Sequence, residues 1–439
     1  MVGVAGGAGF HGPERRRPSD SIRAAGRPPG SPTASVPTLD DIRAARERIG
    51  DVVGSTPCRL AHALDRLGGE RIWLKFENLH RTGSFKERGA LNKLLGLSDE
   101  ERRRGVITAS AGNHAQALAY HATRLGVRST VVMPEHTPLV KVSSTKRHGA
   151  DVVLHGKTFD DAVDEARRRQ EEGGQVFVHA FDDEAVVAGQ GTIGLELVEQ
   201  VPELGLVVVP VGGGGIVSGT AIAVKSMLPE VRVVGVEAKA APSARASLDA
   251  GEIVKIETSE TIADGIAIKR VGEVTFPLLQ RWVDDVVLVD DEEIAAAILL
   301  LLEKEKTLVE GAGAAGVAAV LFDRVELPAD RATAILLCGG NIDVNILSRI
   351  IDRGLVEDGR LARLVVTVRD RPGQLARLTA IVARLGANVL ESAHHRAFAD
   401  ISVGEVAIAL TLETRGREHV DELVAALEAE GHHVEEEVA

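Results

Sequence analysis

From Thr38 onward the chain alternates two kinds of segment. Short apolar runs read as buried strands at 71–76, 106–109, 130–133, 152–154, 176–178, 206–211, 231–236, 286–289 and 334–337. Between most of them, apolar positions recur at helical spacing, at 115–125, 139–148, 159–172, 192–199, 216–228 and 292–304. This rhythm predicts parallel sheets with helices on both faces, because a parallel connection needs a crossover and the crossover helix covers the sheet. So many strands would strain one open sheet, so the pattern predicts two.

The rhythm changes near Asp352–Leu361, where R-G-L-V-E-D-G-R reads as a polar connector. Beyond it the order is strand 362–368, helix 375–385, strand 388–395, strand 405–412, helix 418–430 and strand 431–435. That is a βαββαβ, ferredoxin-like plan. The expected fold class is therefore α/β: a two-part region with parallel-rich open sheets over 37–356, and a separate unit over 361–439. The smaller part, roughly 80–185, is expected as an insertion in the larger. Residues 1–36, rich in Gly, Pro, Arg and Ser, cannot bury enough apolar surface to offset ordering. They are expected to be a disordered tail or an over-called start, and they lack the apolar core of a secretory signal.

Composition narrows the chemistry. No apolar stretch reaches membrane-spanning length; the richest, Ile294–Leu302, is followed by Glu303 and Lys304. A net charge of -13 argues against a nucleic-acid partner, which would need basic surface. The 2 cysteines, Cys58 and Cys338, make no disulfide framework, and a reducing cytoplasm is the expected compartment. Small molecules are the expected partners.

Three runs carry the candidate chemistry. T-G-S-F-K-E-R-G (Thr82 to Gly89) offers Lys86 beside the aromatic Phe85. In an apolar site near a second cation, a lysine loses its proton more easily and becomes a nucleophile. S-A-G-N-H (Ser110 to His114) lies between a strand and a helix; Gly112 frees the turn, Ser110 and Asn113 can cap the helix, and its N–H groups can attract a carboxylate. V-G-G-G-G (Val211 to Gly215) sits between another strand and helix, where glycines let main-chain N–H groups approach a phosphate. An imine-forming lysine with two anion sites is what an enzyme needs to hold pyridoxal phosphate and an amino acid together. His114 by itself reads as a packed helix histidine. Gly311, Gly313 and Gly316 match a dinucleotide-loop spacing, but a helical pattern precedes them, so NAD binding is rejected.

Together with A-G-Q-G-T-I-G-L-E (Ala188 to Glu196), A-D-G-I-A (Ala263 to Ala267), E-G-A-G-A-A-G (Glu310 to Gly316) and L-L-C-G-G-N-I-D (Leu336 to Asp343), these runs resemble the threonine/serine ammonia-lyases. Those are fold-type II pyridoxal-phosphate enzymes of the tryptophan synthase β-like group. R-D-R-P-G-Q-L (Arg369 to Leu375) and L-G-A-N-V (Leu385 to Val389) resemble the ACT module, which binds amino acids. The resemblance implies that Lys86 forms the imine with the cofactor and later takes the Cα proton, with Phe85 beside the ring. It implies that the backbone of Ser110, Ala111, Gly112, Asn113 and His114 holds the substrate carboxylate, with Ser110 also counted as catalytic. Asn113 would reach the ring hydroxyl, Gly212, Gly213, Gly214 and Gly215 the phosphate, and Cys338 the ring nitrogen. A thiol there leaves the ring neutral, which suits rapid loss of a β-substituent.

In the related serine racemases a serine stands at the place of Ala111 and exchanges protons on the opposite face. Alanine cannot, so a lyase is expected rather than a racemase. The relatives also hold a divalent ion; here Glu237 is present but Ser243 stands at the aspartate's place, so no metal is expected. The expected reaction is L-threonine to 2-oxobutanoate and ammonia, with L-serine also used. A β-replacement enzyme of the same fold, a serine racemase and a catalytically silent amino-acid sensor are the alternatives. Pro372, Gly373 and Gln374, with Asn388 nearby, are the expected effector site, and a homo-oligomer, dimer or tetramer, the expected assembly.

Overall fold

The computed structural model describes residues 36–68, 71–396 and 402–437. The expected tail lies outside them, except Val36. Three sheets organise the rest.

A six-stranded sheet forms the centre, in the order Cys58–Leu60, Ile72–Phe76, Ala332–Leu337, Leu204–Pro210, Arg232–Ala238, Asp285–Val289. All its pairings are parallel except that of Cys58–Leu60 with Ile72–Phe76. The middle strands Leu204–Pro210 and Ala332–Leu337 are buried along their whole length. This is why they read as unbroken apolar runs: helices cover both faces. A second, four-stranded sheet is parallel throughout, in the order Asp151–Leu154, Ser129–Met133, Val106–Ala109, Val176–Phe177. Its strands fall in sequence between the second and third strands of the larger sheet to form.

The third sheet is antiparallel, in the order Asn388–His395, Glu405–Glu413, Leu361–Arg369, His433–Glu437. Helices Gln374–Leu385 and Arg417–Ala429 pack on one face and close its own apolar core around Leu364, Val366, Ile408 and Leu410. Between this unit and the central sheet, the expected polar connector is largely helix: Val344–Glu357 runs through it and ends at the Asp358–Gly359 turn. Its apolar side, including Ile346, Leu347 and Ile350, packs on the main core and stabilises helix where composition alone suggested a link.

Helix Glu184–Gln200 begins well before the expected 192. Its glycines lower helix propensity, but they let the backbone approach its neighbours: a Cβ on Gly189 would meet the backbone of Arg88 and Gly89, and one on Gly191 the carbonyl of Gly219. Gly311, Gly313 and Gly316 likewise lie inside helix Gly311–Leu321. Among the described residues, no helix is long and apolar enough to cross a membrane.

Candidate active site

Lys86 opens the helix Lys86–Leu95. The turn before it is fastened to the end of strand Ala332–Leu337: Ser84 bridges Gly339, and the Phe85 N–H donates to the Cys338 carbonyl at 3.1 Å. The lysine amine therefore enters the cleft between the two parallel sheets. It donates to the Ala180 carbonyl at 2.9 Å and lies 4.9 Å from the Phe85 ring centroid. Burial pushes its pKa down to about 8, against the opposing pull of the Glu310 carboxylate. Loss of solvation, rather than a second cation, is what eases its deprotonation.

The cleft holds about 590 Å³. Lys86, the turn Ser110–His114, the loop Gly212–Gly215, Cys338 and Glu310 all line it. Strands of both sheets end here, which is where open parallel sheets collect ligands. Gly214 adopts φ +93 at the start of helix Gly215–Met227, a conformation that favours glycine. The first N–H groups of that helix have no intrahelical acceptors, so the loop presents donors and partial positive charge to the cleft.

The turn Ser110–His114 differs from expectation. Neither Ser110 nor Asn113 caps the helix Asn113–Arg124, whose N-cap residue is Gly112. The Ser110 hydroxyl instead accepts from the Gly112 N–H at 3.3 Å, within its own turn. The Asn113 amide points across the cleft, donating to Glu310 Oε1 at 2.7 Å and accepting from Asn341 Nδ2 at 2.8 Å. His114 is buried, and its Nε2 donates to the Val178 carbonyl at 3.0 Å. Burial and then the Lys86 charge push its pKa down to about 3, so the ring is neutral. Burial holds the Cys338 thiol well above its ordinary range, so it is protonated.

Sequence reading missed the residues that brace the site. Beneath Lys86, Arg88 binds Glu77 through Nε (2.7 Å) and Nη2 (2.8 Å), and Glu196 through Nη1 (2.5 Å) and Nη2 (3.0 Å). Lys75 bonds Glu196 from the far side. At the mouth, Lys141 pairs with Asp264 (2.7 Å) and Lys255 with Asp160 (3.2 Å), each joining the two lobes. Glu310 and Asn341 stood inside quoted motifs, but nothing local assigned them a task.

Glu237 spends both carboxylate oxygens on the N–H groups of Ala244 (2.7 Å) and Arg245 (2.9 Å) at the start of the next helix. Among the described residues, no group of three or more His, Cys, Asp or Glu could hold a metal. In the C-terminal unit, Pro372, Gly373 and Gln374 are together at one end of helix Gln374–Leu385. Asn388 follows its other end, roughly 18 Å away for 12 residues, and bonds Glu413. The two parts of the expected effector site do not meet within one chain.

A buried amine, a glycine loop, a protonated thiol and a side-chain amide lining one cleft fit pyridoxal phosphate. The chain belongs to the pyridoxal-phosphate dependent enzymes, whose family it matches over residues 49–339, and it carries an ACT domain over residues 362–432. Within that family it is similar to the L-threonine ammonia-lyase of Thermotoga maritima, at 50% identity over 397 residues, 90% of this chain and 98% of that protein. The processed form of threonine deaminase isoform 2 from Solanum lycopersicum superposes with a TM-score of 0.68 at 38% identity, covering 72% of this chain and 91% of that one. Maize serine racemase superposes with a TM-score of 0.69 at 35% identity, covering 74% and 99%.

Proposed function

We propose that the protein eliminates ammonia from L-threonine to give 2-oxobutanoate, with L-serine to pyruvate as a second activity, under amino-acid control through the ACT domain. The observation that carries this reading is the Lys86 amine, poised near neutrality in a cleft it shares with the glycine loop and the Ser110–His114 turn. Likeness to named threonine ammonia-lyases over nearly the whole chain supports the substrate.

Pyridoxal phosphate, when bound, supplies the conjugated electron sink that makes the Cα proton of an amino acid acidic. Lys86 would hold its aldehyde carbon and then, freed by the substrate amine, take the Cα proton. The N–H groups of Gly212 to Gly215 would grip the phosphate, and those of Ser110 to His114 the substrate carboxylate. Cys338 would face the ring nitrogen as a neutral thiol and leave it unprotonated. Ala111 offers no proton on the opposite face, so the expected outcome is not the D-amino acid but cleavage of the Cβ–O bond, the β-hydroxyl taking up a proton and leaving as water to give the product enamine. Hydrolysis then releases the ketoacid and ammonia. A racemase reading has support from the maize neighbour, and Ala111 is the residue that argues against it.

The test is ketoacid release from both substrates with the full chain, beside the Lys86→Ala variant. Turnover retained in that variant, or D-amino acid as the main product, refutes the proposal. Regulation is tested by adding isoleucine, valine or threonine to the full chain; a rate unmoved by all three removes the effector role. A homo-oligomer is proposed as the working assembly, and a monomer by light scattering at assay concentration would remove it.

A further inference from the structure

We propose that Glu310 is a positioning residue: it fixes the Asn113 side-chain amide so that one N–H is held out toward the bound cofactor. This rests on the reading of the cleft as a pyridoxal-phosphate site with Asn113 at the cofactor ring.

Glu310 stands at the N-cap of helix Gly311–Leu321, yet its side chain makes no capping bond. The carboxyl turns back toward the cleft and accepts from Asn113 Nδ2 at 2.7 Å. Three bonds, taken in order, decide which way that amide points. Asn341 Nδ2 donates to the Thr82 carbonyl at 2.8 Å, and a carbonyl only accepts, so this end of Asn341 is its nitrogen. The same nitrogen donates to Asn113 Oδ1 at 2.8 Å. With its oxygen engaged there, Asn113 must turn Nδ2 toward Glu310. One of the two Nδ2 hydrogens goes to Oε1, and the other remains for the cleft that Asn113 lines.

Without Glu310 the nitrogen end of that amide loses its fixed acceptor. The terminal amide torsion of asparagine is broad, so the donor would then swing. The approach is also built for: a Cβ on Gly339 would strike Glu310 Oε1 and crowd Asn113 Nδ2 at 3.0 Å. Burial, then the charge of Asp264, pushes the Glu310 carboxyl up to about 7, and Lys86, Cys338 and Lys141 are the other charged or titratable groups around it. Oε1 accepts in either protonation state, provided any proton sits on Oε2. A neutral side chain that keeps an acceptor can therefore do the same work.

The experiment uses the full-length holoenzyme and four variants: Glu310→Ala, Glu310→Gln, Asn113→Ala and the double Glu310→Ala/Asn113→Ala. Two quantities are read: kcat and KM for ketoacid release from L-threonine, and the absorbance band of the bound cofactor without substrate. Glu310→Ala should lower kcat by about 10- to 100-fold, with KM within about threefold, and move the band in the same direction as Asn113→Ala. The double variant should match Asn113→Ala within about twofold, since both remove one device. Glu310→Gln should recover kcat to within about fivefold of the parent.

Losses that multiply independently in the double variant overturn the proposal. So does a Glu310→Gln as impaired as Glu310→Ala, or a Glu310→Ala with unchanged kcat and band. If Glu310→Ala does not load cofactor, Glu310→Leu, which fills similar space without an acceptor, takes its place under the same criteria. A parent chain that binds cofactor but releases no ketoacid refutes the threonine reading, while the band still decides Glu310. A parent that binds none overturns both.

Discussion

Replacing Arg88 with methionine is the sharpest test of what holds the lysine helix in place. The guanidinium is 1% exposed, and its two partners, Glu77 and Glu196, are 0% and 7% exposed. Burial alone would raise the Glu77 pKa, but Arg88 and His80 outweigh it and hold the carboxyl well below its ordinary 4.5. Glu196 is lowered in the same way, with Lys75 as a second cation. Arg88→Met removes the four contacts to these carboxylates and leaves Glu77 without its bidentate partner. Breaking a buried pair from one side costs about 3–5 kcal/mol, because the orphaned charge stays desolvated.

The pH dependence carries the sign. In the parent, Glu77 has a depressed pKa, so its contribution is present above the ordinary 4.5 and lost as pH falls through the folded value. In Arg88→Met the orphaned carboxyl prefers its proton, so the deficit should shrink on acidification. Urea unfolding of parent and variant at about pH 8 and about pH 5.5 measures this. A deficit under about 1 kcal/mol, or one of equal size at both pH values, refutes the reasoning. Because Arg88 lies one half-turn from Lys86, kcat should also fall in molecules that remain folded.

The cofactor-free protein should condense with pyridoxal phosphate at a rate that rises with pH and levels off above about 8, since the free Lys86 amine is the reactive form; a rate still climbing toward pH ~10, the ordinary lysine value, refutes the buried placement. On the proposed reading, Ala111→Ser places a proton-bearing side chain in the cleft that Ala111 lines and should add D-amino acid to the products, read by chiral chromatography; a product mixture as free of it as the parent's refutes the one-base argument. Gly213→Ala sets a methyl against the Phe181 ring and should weaken cofactor binding by about tenfold or more, read by titration of the cofactor-free chain; unchanged affinity refutes the role given to the loop.

Sequence alone determined the elements whose signal is local. Strand Val106–Ala109 is a run of buried residues, and the match between pattern and structure is residue for residue. Helix Phe159–Gly173 announces itself through Thr158 and Asp161, which form a reciprocal capping box. The C-terminal βαββαβ order was legible for the same reason, with strand Asn388–His395 found at its true ends. The lysine and the two glycine-bearing turns drew attention through their own residue types, and Cys338 through the family resemblance alone; all of them line the one cleft.

Tertiary structure decided whatever depends on residues distant in the chain. Asn113 and Glu310 are 197 positions apart, and Arg88 and Glu196 are 108 apart. No periodicity links such pairs; the first meets across the cleft, and the second because helices Lys86–Leu95 and Glu184–Gln200 pack against each other. The glycines of helix Glu184–Gln200 lower its local propensity, and the backbones packed against them supply the missing stability. Propensity is a local quantity of less than about 1 kcal/mol per residue, and close packing of two helices exceeds it. Lys86 itself shows the division: the chain spells out a lysine, and only its burial brings the amine near neutrality.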